Sequence, residues 1–284
     1  MKKTYLVLSA IILVISLGLP QIVESASAPD KPRYISLAPS TTEILFALGL
    51  DEEIAAVSSF CNYPPKAMLK EKIGDFSRPN IEKIVSLRPD FIFCTGLEQE
   101  PVVNQLKRLG FNVYVSDPSN IEELFDTITD IGRITNRERE AAQLLKKMQA
   151  DIDEVNSKVR DIPQEKRTKV FIEIWHEPLM TAGKGSFIDA LITLAGGVNI
   201  AHDIGRPYSN FSAEKVVSLN PGCIIMAYMD ERAPLKLVAA RFGWSNIDAV
   251  KHKRIFNDID PDILLRPGPR ITEGLKELYK RLYP

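Results

Sequence analysis

An internal repeat constrains the fold of this chain more than any other feature. Residues 82–92 read EKIVSLRPDFI, and residues 214–224 read EKVVSLNPGCI, with seven positions identical and an eighth exchanging isoleucine for valine. Weaker echoes flank this repeat in the same order, residues 43–49 against 189–196 and residues 115–118 against 257–261. Self-similar segments that keep their order indicate two structurally related lobes.

Each copy of the repeat predicts a helix, then a proline, then an apolar strand. In the first copy a helix begins at Asn80 or Ile81, Pro89 follows it, and residues 90–95 form the strand. A strand that follows a helix without a hairpin turn is typical of parallel βαβ units. Further strands are predicted at 33–37, 54–58, 169–174 and 222–228, and further helices at 41–49, 186–195, 213–219 and 271–282. The predicted fold class is therefore α/β, with two Rossmann-like lobes built on parallel sheets.

A charged segment from Asn136 to Ile162 lies between the two copies. Its apolar residues recur at steps of three and four, which predicts one amphipathic helix over 137–160. Such a helix spans ~36 Å at 1.5 Å per residue, enough to bridge two lobes. The alternative is an ordinary packing helix inside one domain, but the repeat on either side favours a bridge. The predicted domains are an N-terminal lobe at 29–135, a bridging segment at 136–167 and a C-terminal lobe at 168–284.

The N-terminus has the three-part layout of a secretory signal peptide over residues 1–28. Lys2 and Lys3 precede an uncharged, mostly apolar run, and Ala26-Ser27-Ala28 supplies small residues for cleavage. An uncleaved anchor is the alternative, although the apolar run is short for a membrane span, which needs ~20 residues. Because no cysteine lies near the cleavage point, a lipid anchor is not expected. The mature chain is predicted to be free in the periplasm or secreted.

Charge and composition exclude several classes of partner and of chemistry. Removing residues 1–28 takes away Lys2, Lys3 and Glu24, which leaves 34 basic and 36 acidic residues and a net charge of −2. That balance gives no electrostatic argument for nucleic acid or for an anionic membrane. The cysteines and histidines are widely spaced and match no metal motif, so neither a metal site nor a resident cofactor is expected: Cys61, Cys94, Cys223, His176, His202 and His252.

Catalytic motifs are absent from the sequence. Residues 183–186 read GKGS, which lacks both the upstream glycine and the Ser or Thr directly after lysine that a phosphate loop requires. The sequence holds no Gly-x-Ser-x-Gly elbow, and no recognisable acid/base pair of carboxylates stands out. The chain is therefore predicted not to be an enzyme.

Four loop stretches place an aromatic residue beside proline, glycine or asparagine, close to a predicted strand. They are residues 60–65, 74–80, 175–180 and 206–211, and a fifth stretch at 262–270 adds charge. In parallel sheets the loops at the carboxyl ends of strands line the ligand crevice. Each aromatic could instead cover the core under its loop, but four in matching positions favour a binding site.

The order of these motifs resembles the periplasmic cobalamin-binding proteins of ABC importers, over nearly all of the chain after residue 28. The wider family also contains ferric-siderophore and haem binders. The resemblance is carried by the following segments: ISLAPSTTE at 35–43, YPP at 63–65, NIEKI at 80–84, L-x-PD at 87–90, TAGK at 181–184, GG-x-NI at 196–200 and R-x-x-PR at 266–270.

This resemblance implies a class III periplasmic binding protein, in which one helix joins two lobes and a corrinoid lies in the cleft between them. It implies a monomer that delivers its ligand to a permease dimer with ATPase subunits. The surface glutamates Glu82 and Glu214 match those that dock on permease arginines. The family carries tryptophan where Phe76 and Tyr208 stand and an aromatic at Met180, so a roomier or flatter pocket is expected here.

The ligand contacts expected from the loops and from the resemblance all lie at the predicted cleft. They are Phe60, Tyr63, Phe76, Arg78, Trp175, His176, Met180, Tyr208, Asp262 and Arg266. His176 could coordinate a ligand metal, donate a hydrogen bond, or make no contact. Two alternatives remain open, a hydrolase that uses a cleft carboxylate and a ferric-siderophore or haem binder. The latter would use an arginine cluster of Arg78, Arg206, Arg266 and Arg270 for an anionic ligand.

Overall fold

The computed structural model describes residues 31–228 and 235–284. The predicted signal peptide lies outside these residues. Within them, no helix is both long enough and apolar enough to cross a membrane.

The N-terminal half is built on a five-stranded parallel sheet. Its order is β3-β2-β1-β4-β5, with β1 (Tyr34–Ser36), β2 (Ile54–Val57), β3 (Glu71–Lys72), β4 (Phe91–Cys94) and β5 (Val113–Val115). The central strands β1 and β4 carry fully buried isoleucines, Ile35 and Ile92, because helices cover both faces of such a sheet.

The C-terminal half contains a four-stranded parallel sheet and a three-stranded antiparallel one. The parallel sheet has the order β12-β11-β6-β9 and the antiparallel sheet has the order β10-β8-β7. Their bounds are β6 (Lys169–Glu173), β7 (Trp175–His176), β8 (Leu179–Ala182), β9 (Val198–Asn199), β10 (Tyr208–Asn210), β11 (Cys223–Met226) and β12 (Ile255–Phe256). The antiparallel sheet corrects the prediction of plain loops at 175–180 and 206–211, since backbone pairing between those stretches overrides their irregular composition.

Twelve α-helices lie in the described residues. They are α1 (Pro39–Ala47), α2 (Pro65–Met68), α3 (Ile81–Leu87), α4 (Glu100–Arg108), α5 (Ile121–Ile134), α6 (Glu138–Val159), α7 (Phe187–Leu194), α8 (Ala213–Leu219), α9 (Leu235–Ala239), α10 (Asp248–Lys251), α11 (Asp262–Leu265) and α12 (Ile271–Leu282). The predicted helices and strands are therefore present, with ends that differ by a few residues.

The repeated segment forms the same local structure twice. The Asn80 side chain accepts a hydrogen bond from the Lys83 amide at 2.9 Å, which caps the first turn of α3. Ser212 caps α8 in the same way, through the Lys215 amide at 3.2 Å. Both helices end at a residue in the left-handed region, Arg88 and Asn220, and a proline follows each. The sequence echo thus reflects equivalent elements of two parallel-sheet units.

Helix α6 joins the two halves and packs on both of them. It is continuous over 22 residues, or ~33 Å, and it contacts α5 on one side and α7 and α12 on the other. One hydrophobic cluster runs from Tyr34 of β1 through Met148 and Val155 of α6 to Leu282 of α12. This shared core lies within one compact unit, residues 32–284, so the domain boundaries drawn from the sequence stay predictions.

Candidate functional site

A cavity of about 1230 Å³ lies at the carboxyl ends of the parallel strands. The N-terminal half contributes loops that follow β1, β2, β4 and β5, and the C-terminal half contributes loops that follow β11 and β12. The stretches 185–187 and 206–208, at the edge of the antiparallel sheet, complete the wall. Loops at this end of parallel strands form the usual ligand crevice of open α/β sheets. We call this cavity the cleft.

Phe60 and Phe76 supply aromatic faces on the N-terminal wall of the cleft. The loop that carries Phe76 is held by the buried Gln99, whose Nε2 donates to the Phe76 carbonyl at 2.7 Å and to the Leu37 carbonyl at 3.1 Å. The Gln99 Oε1 accepts from the Thr95 amide at 2.8 Å. A single buried amide therefore ties the Phe76 loop to the ends of two central strands.

Tyr208 and Tyr228 supply the aromatic faces on the C-terminal wall. Tyr208 begins β10 and keeps 47% of its surface exposed, so its ring is available to a ligand. The pKa of its hydroxyl is raised by partial desolvation in the cleft and by the carboxylate of Asp117, which belongs to the opposite wall. Asp117 and Tyr208 both line the cleft, one from each wall.

Tyr228 is positioned by a buried ion pair behind the C-terminal wall. Its hydroxyl donates to the carboxylate of Glu173, a residue with no exposed surface. Arg241 holds that carboxylate through two hydrogen bonds of 2.6 Å, and its guanidinium stacks on the Trp244 ring at 4.6 Å. Burial and the hydrogen bond to Glu173 raise the pKa of Tyr228, so this residue stays a neutral phenol.

Polar groups from both halves meet at the base of the cleft. The Arg266 Nη1 donates to Asn62 Oδ1 at 2.6 Å, and Arg266 Nη2 pairs with Asp262 at 2.9 Å. Asn62 Nδ2 also donates to Asp262 at 3.4 Å. Asn62 follows β2, whereas Asp262 begins α11 and Arg266 lies at the C-terminal end of that helix. These hydrogen bonds therefore connect the two walls.

A second, more buried contact lies beside this base. Arg270 donates two hydrogen bonds to Glu43, at 2.7 and 2.9 Å, and its guanidinium lies 3.8 Å from the centroid of the Tyr63 ring. The side chains are 11% and 3% exposed for Arg270 and Glu43, respectively. Glu43 belongs to α1, and Arg270 lies at the start of α12. We call this pair the clasp, because it links the N-terminal half to the C-terminal half.

Five of the ten expected ligand contacts line the cleft. These residues are Phe60, Phe76, Tyr208, Asp262 and Arg266. They come from four of the five stretches selected in the sequence, and the structure brings them together from both halves.

The other five expected contacts are not among the residues that line the cleft, so their contact with a ligand stays a prediction. Tyr63 lies under the Arg270 guanidinium, and Arg78 is exposed beside the Gly74–Pro79 bridge. Trp175, His176 and Met180 lie within the antiparallel sheet, where Met180 pairs with Trp175. The sequence could not show this pairing, because the composition of residues 175–180 is typical of a loop, whereas their backbone forms a hairpin.

The His176 ring contacts the ring of Tyr228, which lines the cleft. Its imidazole lies 5.7 Å from the ring of Tyr228 and 5.3 Å from that of Trp175, centroid to centroid. Among the described residues, no group of three or more His, Cys, Asp or Glu side chains could hold a metal ion. The His176 ring thus packs on the Tyr228 ring, and its contact with a ligand stays a prediction.

Sequence reasoning missed several residues of the cleft. Tyr228, Glu98, Asp117 and Asp260 line it, and Gln99 orders the Phe76 loop. Each of the four lining residues follows a parallel strand, so the strand-end rule applied to every strand would have found them. Gln99 gave no signal, because its role depends on a long-range hydrogen bond.

The two glutamates expected to dock on a permease are exposed in the first turns of equivalent helices. Glu82 lies in α3 and Glu214 in α8. A hydrogen bond from the Ser212 hydroxyl lowers the pKa of Glu214, so its side chain is an anion at neutral pH.

Comparison with known proteins identifies the class. The family described as "Periplasmic binding protein" matches residues 35–261. The chain therefore belongs to the periplasmic binding protein family. Within that family it is the substrate-binding component of an ABC transporter, and such proteins work with permease and ATPase components. The relatives are transport proteins and not enzymes, which confirms that prediction.

Two relatives cover most of the chain. An uncharacterized ABC transporter substrate-binding lipoprotein of Bacillus subtilis, YvrC, is 34% identical over 93% of this chain and 86% of its own length. A vitamin B12-binding protein of Salmonella typhimurium is 32% identical over 88% of this chain and 90% of its own length.

Solved structures confirm the α/β fold with parallel sheets. A possible iron-binding protein of Staphylococcus epidermidis is 32% identical, with a TM-score of 0.76 over 89% of this chain and 98% of that one. The haem-binding protein HutB of Vibrio cholerae has a TM-score of 0.78 over 89% of this chain and 100% of its own, at 24% identity. A likeness at that identity shows the fold alone.

The Bacillus relative also corrects the predicted location. It is named a lipoprotein, which describes a protein attached to a membrane, and this contradicts the prediction of a protein that is free in the periplasm or secreted. That prediction rested on residues 1–28, which lie outside the described residues.

Proposed function

We propose that this protein captures cobalamin or a related corrinoid in its cleft and delivers it to the permease of an ABC importer. The observation that carries the proposal is the cleft itself, a cavity of about 1230 Å³ with aromatic faces on both walls. A corrinoid is a large, flat ring with apolar faces and an amide rim. Flat apolar area from Phe60, Phe76, Tyr208 and Tyr228 suits those faces, because aromatic side chains bury 150–250 Å² each.

The polar base of the cleft suits the rim of such a ligand. Asn62, Asp262 and Arg266 present an amide, a carboxylate and a guanidinium at the contact between the walls. Propionamide and acetamide groups both donate and accept hydrogen bonds, so they can pair with all three side chains. The vitamin B12-binding relative at 32% identity supports the same ligand class.

A visible absorption experiment tests the proposal against the alternatives on this fold. The purified protein is incubated separately with cyanocobalamin, haem and a ferric siderophore, and each mixture is passed over a desalting column. We expect the corrinoid spectrum alone to elute with the protein. Co-elution of haem or siderophore without corrinoid would refute the proposal and favour the iron-binding alternative, which the Staphylococcus epidermidis structure represents.

We also propose that Glu82 and Glu214 dock on the permease. They occupy the same position in α3 and α8, and a two-lobed protein that meets a dimeric permease must offer the same charge twice. The favourable interaction of an acidic residue with the helix dipole could explain either glutamate alone. It does not require glutamate at the equivalent place in both helices.

Charge reversal separates docking from ligand binding. The E82K/E214K variant should keep its ligand affinity and melting temperature but should lose stimulation of ATP hydrolysis by the reconstituted importer, because paired charges fix register and speed encounter. The matched control is E140K/E165K, which reverses two exposed glutamates elsewhere. Parent-level stimulation by E82K/E214K, or a loss of ligand binding, would contradict the docking role.

A further inference from the structure

The ionisable side chains that line the cleft are mostly acidic. Carboxylates are contributed by Glu98, Asp117, Asp260 and Asp262, and guanidiniums by Arg206 and Arg266. The described lining therefore carries four negative and two positive groups, a formal charge of −2. A cleft lined mainly by one sign of charge concentrates the field inside it and changes the local concentration of charged ligands.

The arginine at the base of the cleft already has carboxylate partners. Arg266 pairs with Asp262 at 2.9 Å and lies 3.8 Å from Glu43. The neighbouring Arg270 is held by Glu43 at 2.7 Å and faces Asp260 at 3.5 Å. An anionic ligand that took the Arg270 guanidinium would leave the buried Glu43 carboxylate without its closest cation, which is strongly unfavourable, and one that took Arg266 would have to displace Asp262.

The N-terminal wall also contributes carboxylates to the lining of the cleft. Glu98 and Asp117 follow β4 and β5 and are exposed within the cleft. Asp117 lies directly against Gly96, where any Cβ atom would collide with the Asp117 side chain, so the glycine makes room for this carboxylate. Tyr208 lines the opposite wall of the same cleft, and desolvation together with the Asp117 carboxylate raises the pKa of its hydroxyl.

We infer that the cleft selects its ligand by charge, binding neutral and cationic corrinoids in preference to ligands that carry free carboxylates. The corrinoid part of this inference rests on the proposed function. Arg206, on the rim, is the lining guanidinium that opposes the selection. Two of the four arginines expected to serve an anionic ligand, Arg266 and Arg270, are thus paired with Glu43, Asp260 and Asp262.

Three corrinoids of nearly the same shape test this selection. Calorimetry at pH 6 compares aquocobalamin, cyanocobalamin and a cyanocobalamin monocarboxylate, in which one side-chain amide is hydrolysed. Their net charges are +1, 0 and −1. We expect the affinity to fall in that order, by about three- to tenfold for each unit of charge. Raising the salt concentration should compress the series, because salt screens charges that water can reach.

A variant of the N-terminal wall identifies the source of the selection. In E98Q/D117N the affinity ratio between cyanocobalamin and its monocarboxylate should fall toward 1, whatever happens to each affinity. In the control E140Q/E165Q, which removes two exposed carboxylates outside the cleft, the ratio should stay at the parent value.

Equal affinities for the three corrinoids, or a ratio that E98Q/D117N does not change, would overturn the inference. If cyanocobalamin does not bind at all, the proposed function fails and the charge selection is decided with haem and haem dimethyl ester. Tighter binding of the free diacid than of the ester would then overturn it.

Discussion

The clasp between Glu43 and Arg270 should dominate the stability of the contact between the two halves. Replacing Arg270 by methionine removes two hydrogen bonds, at 2.7 and 2.9 Å, and the stack on Tyr63. It leaves the Glu43 carboxylate 97% buried, with Arg266 at 3.8 Å as its remaining cation. Breaking one side of a buried ion pair costs about 3–5 kcal/mol, and we expect R270M to lose that much free energy of unfolding.

The double variant E43L/R270M provides the internal control. Replacing both members of a buried pair by apolar residues of similar size is often neutral. The double variant should therefore be more stable than R270M alone. The exposed pair Lys66–Asp51 provides an external control, since K66M should change the free energy of unfolding far less than R270M does.

The pH dependence of R270M follows from the burial of Glu43. Burial raises the pKa of the Glu43 carboxyl, and the hydrogen bonds and charge of Arg270 oppose that rise. R270M lacks the hydrogen bonds and the charge of Arg270, so the pKa of Glu43 in the folded state should lie well above the unfolded-state value of 4.5. A carboxyl group whose pKa is higher in the folded state than in the unfolded state lowers the free energy of unfolding as the pH rises from the unfolded-state pKa to the folded-state pKa. Below the unfolded-state pKa it does not lower that free energy. R270M should accordingly recover stability, relative to the parent, as pH falls toward 4.5.

Urea unfolding, followed by circular dichroism at pH 7 and at pH 5, measures these effects. A loss below 1 kcal/mol in R270M would refute the account of the clasp. So would a double variant less stable than R270M, or a loss in R270M that does not shrink at the lower pH.

Two further predictions concern motion and His176. Because α6 is continuous and packs into one hydrophobic core with both halves, the lobes should move little when ligand binds. X-ray scattering should therefore give nearly the same radius of gyration with and without ligand, and a large contraction would show a flexible hinge. Because His176 packs on the Tyr228 ring and is not among the described residues that line the cleft, H176A should keep the bound-corrinoid spectrum of the parent and weaken binding by less than about tenfold. A changed cobalt spectrum, absent from the control H252A, would show direct ligation.

Local patterns predicted the fold well because the sequence repeats it. The segments 82–92 and 214–224 contain the cap, the helix, the proline and the strand in order, and both form the same structure. The apolar spacing over 137–160 predicted α6 to within a residue at each end, because amphipathic periodicity is a local property.

The antiparallel sheet and the surroundings of several expected contacts were beyond the sequence for a different reason. Met180 is fixed by pairing with Trp175, and Tyr63 lies under Arg270, a residue about 200 positions away. Long-range partners of this kind leave no periodic signal. The same holds for Gln99 and for the Glu173–Arg241 pair that sets Tyr228.

The most direct test of corrinoid capture between two aromatic walls is a calorimetric titration of cyanocobalamin. The parent should bind with a one-to-one stoichiometry. The F76A/Y208A variant removes one aromatic face from each wall and should lose about 1–3 kcal/mol for each side chain that the ligand buries. The fully exposed Phe242 provides the matched control, and F242A should bind like the parent. Unchanged affinity in F76A/Y208A, or no binding of cyanocobalamin by the parent, would contradict the account.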